Sequence, residues 1–124
     1  MKHVHKRGTI SEAEARRRIE TLDLSCVAWK LYEKKEYCGF RWTLRFIKEV
    51  EHLYRAYLFV CWKYPNEKNV PSVAMDEFWH NHILFTAKYK KDCQHIFGYY
   101  LEHDPTFGVK PITEKFKQSY ETKR

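Results

Sequence analysis

The chain predicts an all-α fold, a compact single-domain bundle of about five helices, and three observations carry that expectation. Apolar residues recur three and four apart through stretches with no Pro or Gly, above all between Phe40 and Tyr64. Neither strand-like alternation nor an internal repeat interrupts that pattern. Finally, 124 residues with 44% hydrophobic and 17% aromatic content hold enough apolar material to bury one core.

Ser11-Glu12-Ala13-Glu14 opens the first helix, with a serine to cap the free N–H groups and early glutamates at the positive end of the helix dipole. That helix is expected to end near Leu22. Residues 23–36 place Leu24, Val27, Ala28 and Leu31 on one face, with Asp23 or Ser25 as cap, and predict a second amphipathic helix. Between Phe40 and Tyr64, Ile47, Val50, Tyr54, Tyr57, Leu58 and Cys61 form a third stripe; unbroken, this helix would run ~37 Å and act as the spine. Pro65 and Pro71 bracket a polar loop, after which Ser72 can cap a further helical segment, 73–97, stopped at Gly98. Periodicity leaves open whether 73–97 is one helix or two. A Pro- and Gly-punctuated stretch follows His103, and residues 112–122 predict a short final helix. The expected organisation is a basic tail and helix start at 1–18, a helical core at 19–109, and a short helix with basic tail at 110–124.

The net charge of +7 is unevenly spread: residues 1–18 carry six Lys/Arg against two Glu, residues 109–124 five against two, and the remainder is balanced. Charge confined to tails argues against a folded nucleic-acid-reading face and predicts at most weak, nonspecific attraction to polyanions. No run approaches the ~18 apolar residues of a membrane span, and the charged N-terminus has no apolar segment behind it, so a cytoplasmic protein with no membrane partner is expected. Cys26, Cys38, Cys61 and Cys93 lack C-x-x-C spacing and read as free thiols in a reducing compartment, Cys93 standing apart among polar neighbours. Trp29, Trp42 and Trp62 sit on apolar faces and read as packing residues.

The chemistry concentrates between Val70 and Pro105, where Asp76, His80, His82, Asp92, Cys93, His95 and His103 fall within 28 residues. Asp76 and His80, four apart, share a helix face, so the carboxylate can orient the imidazole. His80 and His82 project ~200° apart on a regular helix, and His82 and Cys93 lie ~16 Å apart along an unbroken one. A common site therefore requires the chain to reverse between them, around Phe85–Ala87, and His103 is free to return as a further ligand. One reading draws a transition-metal site from His80, His82, Cys93 and His103, because imidazole with thiolate suits Zn, Cu or Fe. The competing reading makes the histidines and the interleaved aromatics a hydrogen-bonded core, leaving a protein-interaction module for an acidic partner. A Cys93 nucleophile with a histidine base is the weakest of the three, since no cysteine-enzyme signature surrounds it; the expectation leans away from an enzyme.

LDLSCVAWKL at 22–31 and DEFWHNHIL at 76–84, followed by Tyr89, Asp92-Cys93, Ile96-Phe97-Gly98 and His103, make residues 20–108 similar to the core of the GRDP-like family, glycine-rich-domain proteins and their small bacterial relatives. The matching polar positions imply a ligand-binding role for Asp76, Trp79, Tyr89 and Asp92 beside the four candidate metal ligands. Where the family pattern implies two adjacent histidines before the proline segment, this chain has Glu102-His103.

Overall fold

The structure is a computed structural model that describes residues 10–103. Its element order is α1 (Glu12–Glu20), α2 (Ser25–Lys34), β1 (Glu36–Tyr37), β2 (Phe40–Arg41), α3 (Leu44–Lys63), α4 (Val73–Leu84) and α5 (Thr86–Ile96), an all-α architecture with one minimal hairpin. The expected C-terminal helix and most of the basic tails lie outside the described residues. Five helices are nonetheless present among the described residues, because the segment 73–97, left open by periodicity, is two helices.

Local sequence explains most of the boundaries. Ser11, Thr43 and Ser72 each accept a hydrogen bond from the backbone N–H three residues on, capping α1, α3 and α4. At the start of α2 the capping residue is Leu24, and Asp23 instead accepts from the N–H and hydroxyl of Ser25. The hairpin turns on Cys38 and Gly39, both at positive φ, with Tyr37 paired to Phe40. Such a turn favours Asn-Gly; a cysteine at φ 53° carries a steric cost there.

The spine is shorter than the pattern suggested, twenty residues beginning at Leu44, because the hairpin takes up its first turn. Its stripe of Ile47, Val50, Tyr54, Tyr57, Leu58 and Cys61 is buried throughout, against α1 and α2 on one side and α4 on another. Removing one such side chain, as in Leu58→Ala, would cost about 2–5 kcal/mol through lost burial and the cavity left behind. Two arginines tie helix ends together. Arg55 on α3 donates to the carbonyls of Ile19 (2.5 Å) and Leu22 (3.0 Å) at the end of α1 and pairs with Glu51 (2.7 Å). Arg18 on α1 donates to the His95 carbonyl (2.9 Å) in the last turn of α5. Each places a cation where the helix dipole is negative and carbonyls lack partners.

Of the four tryptophans, Trp42, Trp62 and Trp79 are buried, whereas Trp29 is 59% exposed. The expectation that Trp29 packs into the core is thus corrected. It sits on the outer side of α2, while Val27 and Leu31 face inward.

Candidate functional site

The break between α4 and α5 falls at Phe85, inside the window in which a shared site demands a reversal. Phe85 leaves the helical region (φ −85°, ψ 72°); its N–H closes α4 on the His82 carbonyl and its carbonyl accepts the Tyr89 N–H that opens α5. The two helices then pack side by side, so residues ten apart in sequence meet.

What meets is His82 and Asp92. The His82 Nε2 lies 2.8 Å from Asp92 Oδ2, and its Nδ1 lies 2.7 Å from the Tyr54 hydroxyl on α3. With the ring proton on Nε2 facing the carboxylate, Nδ1 accepts from Tyr54, whose hydroxyl is kept protonated because burial pushes its pKa well up. Lys88, one turn before Asp92, brings Nζ to 3.0 Å of the same carboxylate oxygen. Burial by itself would raise the Asp92 carboxyl, but the bonds from His82 and Lys88 outweigh it and hold the group below the usual carboxylate value. His82 is 1% exposed, and the edges of the Tyr54 and Tyr89 rings close around its imidazole at centroid distances of 5.8 and 4.8 Å.

A second polar chain runs alongside. The Trp79 indole N–H donates to the Tyr89 hydroxyl (2.8 Å), which donates to the Leu101 carbonyl (2.6 Å), while the Leu101 N–H approaches Cys93 Sγ at 3.5 Å. Beyond Leu101, His103 Nε2 meets Asp76 Oδ1 at 2.5 Å and its ring lies 4.4 Å from that of Trp79. These contacts fasten residues 98–103 across the α4–α5 pair.

The eight sequence-predicted positions therefore separate into groups. Asp76, Trp79 and His103 form one cluster, joined through Tyr89 to Cys93; His82 and Asp92 form the other; His80 is exposed. Asp76 pairs with His103 and not with His80, although the two share a helix face by spacing. His80, His82, Cys93 and His103 do not converge, and among the described residues no three His, Cys, Asp or Glu side chains are arranged to hold a metal ion. The reason is local: both ring nitrogens of His82 are taken by Tyr54 and Asp92, and Cys93 is buried, with its thiol pKa raised chiefly by that burial. Among the described residues no helix is long and apolar enough to cross a membrane.

Sequence reasoning missed Tyr54 and Lys88 as members of the site. Tyr54 is one residue of an apolar stripe, and nothing in the stripe marks its hydroxyl as used. Lys88 did carry a signal, its position four residues before Asp92 on one helix.

No curated protein and no solved structure matches the chain. The resemblance to the GRDP-like core is overturned by the family comparison, which points elsewhere. A family model matches residues 17–121, taking in all of the described elements from α2 onward and the end of α1, and the chain belongs to the UCP032817-like family.

Proposed function

We propose that this protein is a non-catalytic interaction domain in which the His/Asp/Tyr cluster of α3, α4 and α5 is a structural core and binding takes place on the outer surface. The observation that carries this reading is His82: a general base or a ligand needs a free nitrogen facing a substrate or ion, and here both nitrogens are bonded in a ring that is 1% exposed. The thiols support it too. Cys93 and Cys61 are buried with raised pKa values, Cys61 to about 12, which removes the thiolate a nucleophile requires.

Exposed apolar residues supply the surface. Trp29, Tyr32 and Leu44 stand out from α2 and the first turn of α3, and none of the three takes part in the α3–α4–α5 polar network. Large exposed aromatics of this kind are the usual anchors of protein contacts.

A photo-crosslinking residue at position 29, with a control at exposed position 90, tests the reading in the cells that make this protein. Discrete heteromeric adducts from position 29 and none from position 90 are expected. Absence of adducts from 29 would refute it, as would an enzymatic activity lost on His82 substitution while the melting temperature stays unchanged.

A further inference from the structure

Trp29 and Tyr32, with ring centroids 5.7 Å apart, form a ridge on α2 with a concavity on either side. The one between α2 and the first half of α3 encloses about 690 Å³. Leu24, Ala28 and Ile47 line its apolar part, and Leu44, 61% exposed, stands at its edge.

Its charges are asymmetric. Glu51 is bonded to Arg55, and Asp23 holds Ser25 at the start of α2. Arg55 in turn is spent on the α1 carbonyls. Arg45 and Lys48 line the same groove and make no ion pair among the described residues; the Asp23 carboxylate keeps its charge, since Ser25 is neutral, and with Glu51 and Arg55 cancelling, two cations against one anion leave the groove cationic. An apolar trough with aromatic walls and unpaired cations complements a segment with bulky apolar anchors and carboxylates beside them.

Resting on the interaction reading above, we infer that the α2–α3 groove docks an acidic amphipathic peptide segment of a partner protein, its apolar anchors against Trp29 and Leu44 and its carboxylates on Arg45 and Lys48. The recognition follows helix-in-groove logic: apolar residues three and four apart enter the trough and the polar face meets its rim. Complementary charge sets orientation and on-rate more than affinity, so binding weakens as salt rises.

The test is selection of a random 16-residue peptide library displayed on phage against the full chain, with counter-selection on the double variant Trp29→Ala/Leu44→Glu. Both replaced residues are exposed, so the variant is expected to melt with wild type, checked by circular dichroism. Enriched peptides should be net acidic with aromatic or aliphatic residues at helical spacing. The best of them, followed by fluorescence anisotropy, should bind at least tenfold more weakly to Arg45→Glu/Lys48→Glu and to wild type in high salt. Enrichment of neutral or basic peptides, no enrichment, or indifference to the charge reversal would overturn the proposal. So would a concentration-dependent dimer of wild type that the double variant abolishes, which would make a second copy of the chain the occupant. If position 29 still yields heteromeric adducts in cells while acidic peptides fail, the interaction reading stands and the acidic segment alone is refuted.

Discussion

His80 and His82 are two residues apart on α4, and their replacement by alanine should have very unequal consequences for stability. In His82→Ala the Tyr54 hydroxyl, on a residue with no exposed surface, loses its partner, a cost of about 1–3 kcal/mol for a buried polar group left unsatisfied. The imidazole also fills the space between the Tyr54 and Tyr89 rings, and the cavity left by its removal adds about 2–3 kcal/mol. Asp92 keeps Lys88 and adds little. The sum, about 3–6 kcal/mol, is a large part of the ~5–15 kcal/mol that holds a domain folded and corresponds to a fall in melting temperature of roughly 10–20 °C. His80→Ala, at an exposed position, should change stability by less than about 0.5 kcal/mol. Thermal and urea unfolding of both variants at neutral pH, followed by circular dichroism, makes the comparison. A His82→Ala protein melting within about 3 °C of wild type, or a His80→Ala protein that loses as much, would refute the view that His82 is held in place as a core residue.

Three further outcomes follow from the same structure. Because the Asp92 carboxyl is held below its ordinary value in the folded state, its contribution is complete above about pH 4 and is lost as pH falls through the folded pKa; the stability gap between wild type and Asp92→Asn should therefore narrow in acid, and a gap constant from pH 7 to pH 2 would contradict the assignment. Arg55→Ala should destabilise by about 2–3 kcal/mol by stripping the α1 carbonyls and Glu51 of their donor, with Arg55→Lys falling between, since an ammonium cannot reproduce the fork; equal stability of all three in urea titrations would exclude the clamp. Thiol labelling of the native protein, mapped by mass spectrometry, should reach exposed Cys38 and spare Cys61 and Cys93 until denaturant is added, and native labelling of Cys93 would show that α5 is less tightly packed than described.

The helical class, the caps Ser11 and Ser72, and the buried stripe of α3 were all legible in the chain itself, because caps act within three residues and a stripe needs only the helix period; the cap Thr43 was missed, since the breaker-free run extends back to Phe40. The need for a reversal near Phe85 was legible too, from axial rise alone. Which histidine of α4 turns inward was not. That helix packs against α2, α3 and α5, so its burial follows no single face: Phe78, Trp79, Asn81 and His82 are all enclosed and no period in sequence distinguishes His80 from His82. Trp29 did carry a signal, since Ser25 and Glu33, four residues to either side of it on α2, are polar, whereas Val27 and Leu31 mark the buried face. Local sequence determined the elements and their ends, since those are decided by forces acting within one or two turns. The pairing of His82 with Tyr54 and Asp92, which takes up both nitrogens of its ring, was decided only when three helices met, because a hydrogen bond between residues 28 apart exists only in the assembled core.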